Sequence, residues 1–302
     1  MRAHETLKIL VGVGTLVSAL VLGGCASYHN APAEPVELKN TSFTVNHGVQ
    51  FSPDDWPKKL YGDLYLPEGE QLHPVVLMVH GGGWEGRSRS DISWISEKLA
   101  SHGFAVFNID YRLAPDYIFP AQLHDLQIAR TWLNHNAEQF RLDASRVNGF
   151  GFSSGAHLIA LMALVASSND AESLNQPYGG PDTALNAVVA GGTPADLTAF
   201  GSGKLLRQFL GGTKADIPDT YRAASPITYV TRNSPPFFLF HGNMDSLVPF
   251  RQAQTLHDTL LANGVESELF EMRLRGHITS FLTAGSAISK ATGFLMRHNK
   301  KP

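Results

Sequence analysis

The sequence has a single cysteine, few charged residues and no excess of positive charge. One cysteine among 302 residues excludes an intramolecular disulfide and any metal site built from several cysteines. Charged residues make up 17% of the chain, and 24 Lys+Arg against 27 Asp+Glu give a net charge of −3. Binding nucleic acid requires a basic surface, so we expect no nucleic-acid partner. The 43% hydrophobic residues favour a compact globular protein over a disordered chain.

Sequence patterns that bind metals or organic cofactors are also missing. The chain has neither an H-E-x-x-H zinc motif nor a P-loop. Gly149 and Gly151 have the first spacing of a dinucleotide-binding fingerprint, but Ser154 stands where its third glycine is required. We therefore expect no metal and no cofactor.

The first 24 residues are typical of an export signal. Arg2 and Lys8 precede the uncharged run from Ile9 to Gly24, which is too short and too rich in glycine for a permanent membrane span. The end of this run, Leu22-Gly23-Gly24-Cys25, resembles the lipobox of bacterial lipoproteins. In that family the cysteine is lipidated and becomes the first residue of the mature chain. The alternative is an ordinary signal peptide followed by an unrelated cysteine.

The lipobox resemblance implies a protein held in the cell envelope by lipid on Cys25. Ala26 follows the cysteine, and a residue other than Asp there implies the periplasmic face of the outer membrane. The next residues, up to Pro35, are polar and contain proline, as in a flexible tether. We predict a signal peptide over 1–24, a tether over 25–40 and one globular domain over 41–302.

The globular part alternates short apolar runs with amphipathic segments. We predict strands over 60–66, 75–79, 104–109, 146–150, 187–190, 236–240 and 268–274, and helices over 122–134, 156–166, 251–262 and 278–298. This alternation indicates an α/β fold with a mostly parallel eight-stranded sheet and helices on both faces. The segment 193–235, rich in Gly and Pro, interrupts the pattern after the sixth strand, and we predict a cap-like insertion there over the sheet edge.

The sequence Gly151-Phe152-Ser153-Ser154-Gly155 matches G-x-S-x-G and lies between a predicted strand and a predicted helix. Such a turn projects its serine above the sheet, and its glycines leave room for the tight backbone. Ser153 is therefore the candidate nucleophile. The alternative is a glycine-rich turn with an ordinary surface serine.

Two other loops supply residue types that acyl transfer needs. His80-Gly81-Gly82-Gly83-Trp84 follows the strand 75–79, and consecutive glycines allow backbone N–H groups to converge on an oxyanion. Further along, Asp245 and His277 each follow a predicted strand, and the order Ser153, Asp245, His277 is that of the α/β-hydrolase triad. Asp196 also follows a predicted strand and competes with Asp245. We assign His157 a structural role because it would point into the helix packing.

Together these motifs resemble those of α/β-hydrolases of the hormone-sensitive-lipase-like and related carboxylesterase and feruloyl-esterase group. The resemblance extends over roughly 60–298 and includes, in the order of the family, HGGGW, DYRLAP (110–115), FPA (119–121) with Asp125, GFSSGAHL, HGNMD and GH. It implies the α/β-hydrolase fold and cleavage of carboxylic esters by Ser153, His277 and Asp245. It also implies that the backbone N–H groups of Gly82, Gly83 and Ser154 bind the oxyanion and that Trp84 contacts substrate.

One position departs from the hormone-sensitive-lipase-like pattern. Many of those esterases have Asp before the nucleophile, where this chain has Phe152. The GFSSGAHL form is closer to the dienelactone-hydrolase, feruloyl-esterase and arylformamidase branches. The resemblance to these branches implies aryl esters of the feruloyl type among the substrates, and a cap of the size of the segment 193–235 favours short acyl chains or aryl esters over long triglycerides.

Two other functions stay open from the sequence. The same triad serves amide hydrolysis, as in an arylformamidase or a small peptidase. A fold of this kind can also act as a binding module without catalysis, although such proteins usually lack the serine or the histidine. Apolar side chains of the insertion are expected to close a pocket over the acyl or aryl group: Phe200, Leu205, Leu206, Phe209 and Leu210.

Overall fold

The computed structural model describes residues 27–30, 36–168 and 171–300, and within them nine strands form one sheet. The strands are β1 (Ser27–His29), β2 (Phe43–Gln50), β3 (Tyr61–Pro67), β4 (His73–Val79), β5 (Ala105–Ile109), β6 (Leu142–Phe152), β7 (Val188–Gly191), β8 (Phe237–Gly242) and β9 (Ser267–Met272). Their order is β1-β9-β8-β7-β6-β4-β5-β3-β2. The strands from β9 to β5 in this order are parallel, and β1, β2 and β3 are antiparallel to their neighbours. The mostly parallel α/β sheet is confirmed, with nine strands where eight were predicted.

The additional strand lies in the segment predicted to be a tether. Ser27–His29 pairs with the outer edge of β9, with Ser27 opposite Glu271. A sheet edge offers unpaired backbone N–H and C=O groups, and an extended neighbouring segment can satisfy them regardless of its side chains. This part of the tether prediction is therefore corrected. The predicted signal peptide and Cys25 lie outside the described residues, and among those described no helix is both long and apolar enough to cross a bilayer.

Helices cover both faces of the sheet. They are α1 (Ser93–Ala100), α2 (Ala121–His135), α3 (Ser154–Ala166), α4 (Glu172–Asn175), α5 (Lys204–Leu210), α6 (Pro218–Ala223), α7 (Arg251–Ala262), α8 (His277–Leu282) and α9 (Gly285–His298). The prediction of a single helix over 278–298 is wrong, because this segment forms two helices, α8 and α9. Thr283 ends α8 with φ −111° and ψ 21°, and its hydroxyl accepts a hydrogen bond from Arg275.

Alternating side chains of the buried strands form two separate apolar cores. In β4, Val75, Leu77 and Val79 belong to one core, while Val76 and Met78 belong to the other. This division follows from the two-residue repeat of a strand, which points successive side chains to opposite faces. Both faces of the central strands are therefore buried, as the continuous apolar runs indicate.

The parallel strands end at one edge of the sheet, here called the carboxyl edge. The loops after β4, β6, β8 and β9 carry the four candidate motifs, and all of them begin at this edge. The segment 193–235 connects β7 to β8, beginning where β7 ends. It follows the sixth strand when strands are counted from β2. In open α/β sheets this edge is where ligands bind.

Candidate active site

Ser153 occupies a strained turn between β6 and α3. Its backbone has φ 56° and ψ −124°, a conformation that non-glycine residues rarely adopt. The turn is tight because α3 approaches β4 closely: a Cβ on Gly155 would lie 2.2 Å from the carbonyl oxygen of Val79. Glycine at this position therefore allows the helix to begin directly over the sheet, which leaves Ser153 at the carboxyl edge.

The structure brings Ser153, His277 and Asp245 into one hydrogen-bonded chain. The Oγ of Ser153 lies 2.9 Å from Nε2 of His277, and Nδ1 of His277 lies 2.6 Å from Oδ2 of Asp245. A carboxylate only accepts hydrogen bonds, so Nδ1 carries the proton and Nε2 is free to accept one from the serine hydroxyl. This is the arrangement in which imidazole acts as a general base toward serine.

The carboxylate of Asp245 is buried and held by four donors. Its Oδ1 accepts hydrogen bonds from the backbone N–H groups of Leu247 and Val248, while Oδ2 lies close to His277 and 3.3 Å from Nε2 of His241. Burial alone would raise the pKa of Asp245, but the hydrogen bonds from His241, His277 and Val248 lower this pKa well below its ordinary value. Asp245 is therefore a carboxylate at any pH at which the protein would work.

His241 is a partner of the triad that the sequence analysis did not single out. Its Nε2 also lies 2.8 Å from the carbonyl oxygen of Val248, so one ring N–H lies between that oxygen and Asp245. The residue stands in the HGNMD motif, four residues before Asp245. The spacing of four residues was the signal that could have predicted this contact, because the turn after β8 brings Asp245 back to the ring of His241.

Asp196, the competing acid, has a different role in the structure. Its Oδ1 accepts hydrogen bonds from the backbone N–H groups of Thr198 and Ala199 and from the hydroxyl of Thr198. It thus caps a short turn of 3₁₀-helix over 197–199. The geometry places Asp245, and not Asp196, against His277.

The glycine loop after β4 lies beside Ser153. Strands β4 and β6 are parallel neighbours with Val79 opposite Gly151, so the loops that follow them meet. Gly82 has φ 126°, and a Cβ there would lie 2.2 Å from the carbonyl oxygen of Gly86. Ser154 is the first residue of α3, where a backbone N–H has no acceptor within the helix. The loop and the helix terminus thus both present backbone to the space above Ser153.

Trp84 lines the cavity beside Ser153, but most of its side chain is buried in the apolar core. The indole is only 5% exposed and stacks on Phe209 with a centroid distance of 4.6 Å. Its Nε1–H donates a hydrogen bond to Nδ1 of His157 over 3.2 Å, and Nε2 of His157 donates to the carbonyl oxygen of Ala224 over 2.7 Å. His157 therefore has the structural role expected from the sequence.

This buried histidine makes stability depend on acidity. Burial lowers the pKa of His157 from 6.5 to about 4, and its Nδ1 already accepts the indole N–H, so protonation would place two donors together. The unfolded chain binds this proton first, so the stabilisation is complete above pH 6.5 and is lost as the pH falls toward 4, by about 3 kcal/mol in all. Denaturant unfolding of wild type and His157→Gln between pH 7 and 4 measures it.

Glutamine offers one acceptor and one donor but does not titrate, so it is the matched control. We expect the free energy of unfolding of the variant to change less over this pH range than that of the wild type. Equal pH dependence in the two proteins would contradict the assignment.

Two further networks hold the loops of the site, and the sequence analysis gave neither of them. His80 stacks on Tyr111 at 4.4 Å, and the Tyr111 hydroxyl donates to the carbonyl oxygen of His80. The guanidinium of Arg89 forms ion pairs with Asp63 and Asp110. These partners come from distant parts of the chain, so the sequence carries no spacing that would have joined them.

Phe152, the residue before the nucleophile, packs against the triad. Its ring lies 5.1 Å from the imidazole of His277 and 5.0 Å from the ring of Phe281. The ring of Phe152 thus places an apolar surface against the imidazole of His277, which restricts rotation of the imidazole.

A cavity of about 1040 Å³ opens above Ser153 and His277. Its walls include the loop 81–87, part of the segment 193–235 and residues of α8. Of the five apolar side chains expected to form the pocket, Phe200, Leu205 and Leu206 line it. Phe209 and Leu210 do not, because they are buried in the core, with Phe209 stacked on Trp84. That part of the prediction is corrected.

Within the described ranges, no group of three or more His, Cys, Asp or Glu side chains is arranged to hold a metal ion. Besides Ser153 and His277, the cavity wall contains the polar side chains of Glu85, Arg87, Asp91 and Lys204. The site thus offers a nucleophile, a base and backbone donors in a largely apolar cavity.

Two curated esterases are about a third identical to this chain over aligned regions of roughly 200 residues. Esterase LipC of Mycobacterium tuberculosis is 34% identical over 201 residues, covering 63% of this chain and 48% of its own length. Esterase LipQ of the same organism is 31% identical over 194 residues, covering 62% and 45%. The chain thus spans about half the length of the curated relatives it matches.

Solved structures share the fold. A truncated form of a carbohydrate esterase from gut microbiota superposes with a TM-score of 0.76 at 24% identity, covering 88% of this chain and 99% of its own. A bifunctional GH43-CE protein of Bacteroides eggerthii superposes with a TM-score of 0.75 at 27% identity, covering 85% of this chain and 38% of its own. These similarities confirm the α/β-hydrolase fold.

The model of the BD-FAE family matches residues 62–260, which is more than half of the chain. The matched range begins in β3 and ends in α7, and it includes the glycine loop, the Ser153 turn and Asp245. The chain therefore belongs to the BD-FAE family.

Proposed function

We propose that this protein is a serine hydrolase that cleaves carboxylic esters. The observation that carries the proposal is the hydrogen-bonded chain from Asp245 through His277 to Ser153, which ends in the large apolar cavity. The named esterases among the relatives support the same reaction. A triad at the carboxyl edge of this fold has the geometry for acyl transfer.

The reaction proceeds through an acyl-enzyme. The Oγ of Ser153 attacks the ester carbonyl carbon while Nε2 of His277 takes the hydroxyl proton, and the imidazolium is stabilised by the Asp245 carboxylate. When the tetrahedral intermediate collapses, the alcohol leaves with that proton. Water then attacks the acyl-enzyme, again giving a proton to His277, which returns it to Ser153 as the carboxylic acid departs.

The oxyanion of the tetrahedral intermediate needs donors that are in place before the reaction. In this proposal they are the backbone N–H groups of Gly82, Gly83 and Ser154. The strained glycine loop and the start of α3 support this assignment, because fixed backbone donors cost no reorganisation when charge develops. Trp84 contributes by holding the loop and by forming part of the cavity wall.

The preferred substrates are esters of short acyl or aryl acids, including acids of the feruloyl type. Phe200, Leu205 and Leu206 of the segment 193–235 form an apolar wall that suits a compact acyl or aromatic group. The Leu205 side chain would lie 3.2 Å from a Cβ on Gly83, so this wall stands directly against the glycine loop. In this proposal the segment 193–235 acts as a cap.

A panel of p-nitrophenyl esters of rising chain length, with methyl ferulate beside them, tests the proposal. We expect kcat/KM to be higher for the four-carbon ester than for the sixteen-carbon ester, because the wall next to the glycine loop limits the length of the acyl group. Initial rates at several substrate concentrations give the comparison.

N-formylkynurenine in the same panel distinguishes the amide alternative. Faster turnover of the formamide than of every ester would replace ester hydrolysis by amide hydrolysis as the main activity. Faster turnover of the sixteen-carbon ester than of the four-carbon ester would contradict the cap assignment alone.

We also propose that the protein is anchored by lipid on Cys25 at the periplasmic face of the outer membrane. The support is the lipobox-like Leu22-Gly23-Gly24-Cys25 after an uncharged run, with the only cysteine of the chain at the required place. Several acyl chains hold a protein on a bilayer firmly, whereas one chain does so only marginally.

Cys25→Ser is expected to abolish lipidation, because a hydroxyl is a poor substitute for the thiol that accepts the lipid. Metabolic labelling with palmitate and fractionation of cells expressing each protein provide the measurement. Thr15→Ser, within the apolar run, is the matched control and should be lipidated like the wild type. Wild-type protein found without lipid in the soluble fraction would overturn the proposal.

A further inference from the structure

Five large apolar side chains are exposed at the mouth of the cavity, and three of them, Leu247, Ile278 and Leu282, also line it. They are 54–71% exposed, and we call them the apolar rim: Met244, Leu247, Leu274, Ile278 and Leu282. They belong to the segments that carry the acid and the histidine of the triad, since Met244 precedes Asp245 and since Ile278 and Leu282 lie in α8, which begins at His277. A cluster of this kind at one edge of a protein marks a surface that contacts something apolar.

The conformation and exposure of Leu274 indicate that its side chain does not stabilise the fold. It is 70% exposed and has φ 57°, a left-handed conformation that is unfavourable for a leucine. Its backbone N–H donates to Oδ1 of Asn243, which fixes the turn, but its side chain remains in solvent. A polar residue or glycine would satisfy this position better if water were its only neighbour.

Positive charge accompanies the apolar side chains. Arg273 and Arg275 flank Leu274, and the Arg273 side chain is exposed, with Glu271 at 3.9 Å as its ion-pair partner. Arg275 donates to the hydroxyl of Thr283, so its guanidinium is held beside α8. Exposed apolar residues between arginines are the combination that binds the surface of an anionic bilayer.

The chain enters the fold at the same edge. Because β1 is antiparallel to β9 with Ser27 opposite Glu271, the residues before Ser27 begin at the carboxyl edge, as does Leu274. Cys25 is two residues before Ser27, and an extended chain of two residues spans about 7 Å. The uncharged run 9–24 ends directly before Cys25. The described chain therefore begins, at Ser27, on the edge that carries Leu274, and a membrane attachment at Cys25 or in the run 9–24 would lie only a few residues before it in the sequence.

We propose that the apolar rim, with Arg273 and Arg275, docks on the surface of a phospholipid bilayer that contains anionic lipids. The attachment point and the paired arginines favour a bilayer over a second copy of this chain, which would need neither. Docking in this way turns the mouth of the cavity toward the membrane, so that an amphipathic ester reaches Ser153 from the bilayer surface. The inference adds an orientation to the proposed hydrolase and does not depend on its chemistry.

A fluorescent label on one thiol tests the orientation. The full chain carrying Cys25→Ser has no other cysteine, so Met244→Cys places a single environment-sensitive nitrobenzoxadiazole label at the rim. Leu261→Cys is the matched control, because Leu261 is an exposed leucine near the end of α7, at the opposite edge of the sheet. With vesicles of phosphatidylethanolamine and phosphatidylglycerol we expect a blue shift at 244 and none at 261.

Substitutions in the apolar rim distinguish docking of the rim on the bilayer from attachment of the chain through its N-terminal segment alone. Leu274→Glu should abolish the shift at 244, whereas Leu261→Glu should leave it intact. Replacing Arg273 and Arg275 by Gln should reduce the ratio of docked to undocked protein roughly fivefold for each arginine. A shift of equal size at both label positions, no shift at 244, or failure of the chain to float with the vesicles would overturn the proposal.

Two further measurements distinguish bilayer docking from association with a second copy of the chain and from failure of the proposed function. A shift at 244 that rises with protein concentration in the absence of vesicles would assign the rim to a second copy and overturn bilayer docking. Hydrolysis of soluble p-nitrophenyl acetate should be unchanged by Leu274→Glu, because Leu274 neither lines the cavity nor contacts the triad. Wild type that docks but hydrolyses no ester would refute the proposed function alone.

Discussion

Ser153→Ala is expected to reduce kcat for a soluble ester by about a million-fold, because no other hydroxyl can form the acyl-enzyme. The activity that remains would come from the backbone donors and from substrate binding. Stopped assays at high enzyme concentration, with p-nitrophenyl butyrate as substrate, measure the loss. The circular dichroism spectrum and the midpoint of thermal unfolding show whether the variant is folded.

Ser154→Ala is the matched control for this substitution. It stands one residue further along, is buried, and contributes its backbone N–H to the proposed oxyanion hole rather than its hydroxyl, which lies 3.4 Å from that of Tyr111. The backbone N–H is retained in alanine, so we expect most of the activity to remain. Comparable loss in both variants, with both folded, would contradict the assignment of Ser153 as nucleophile.

Asp245→Asn is expected to lower kcat by about four orders of magnitude, as loss of the acid does in other triads. The carboxylate accepts the Nδ1–H of His277 at 2.6 Å and so keeps Nε2 ready to receive the proton of Ser153. An amide that presents its NH₂ group to the ring would favour the wrong tautomer. The same ester assay, over a range of pH, gives the size of the loss.

Asp196→Asn decides between the two acids. Asp196 caps the turn 197–199, and asparagine caps a helix about as well as aspartate, so we expect the variant to keep its activity within a few-fold. If Asp196→Asn were inactive while Asp245→Asn remained active, the assignment of the acid would be wrong. Unfolding midpoints of both variants distinguish a lost function from a lost fold.

The elements around the site could be predicted from local sequence because each has a strong local cause. The continuous apolar runs of β4 and β5 indicate strands buried on both faces, and the helix α7 was placed over 251–262 by its apolar periodicity. Boundaries were less well determined. The helix predicted over 278–298 did not show the break at Thr283, where the backbone has φ −111° and ψ 21°.

The strand β1 illustrates another limit. Ser27–His29 has no apolar alternation that would indicate a strand, and it pairs because the outer edge of β9 offers backbone donors and acceptors. Pairing of this kind depends on where a segment lies and not on what its side chains are. For the same reason, the sequence could not show that Ser27 lies at the carboxyl edge, opposite Glu271.

The sequence by itself determined the residue types of the site and their order along the chain. Gly155 is required by the close approach of α3 to β4, and Gly151 by the close approach of the start of α3 to the end of β6. The order serine, acid, histidine follows from which strands precede the loops. Both follow from the topology of the sheet, which short-range patterns reveal.

Only the tertiary structure decided which acid meets His277, because Asp196 and Asp245 both follow strands of the same sheet. The two acids differ in their hydrogen-bond partners: Oδ2 of Asp245 is 2.6 Å from Nδ1 of His277, whereas Oδ1 of Asp196 accepts from the backbone of the turn that follows it. The same holds for the contact of Trp84 with His157. Contacts between side chains from distant loops depend on how those loops fold together, and hydrogen bonds require a precision of tenths of an angstrom that residue spacing does not contain.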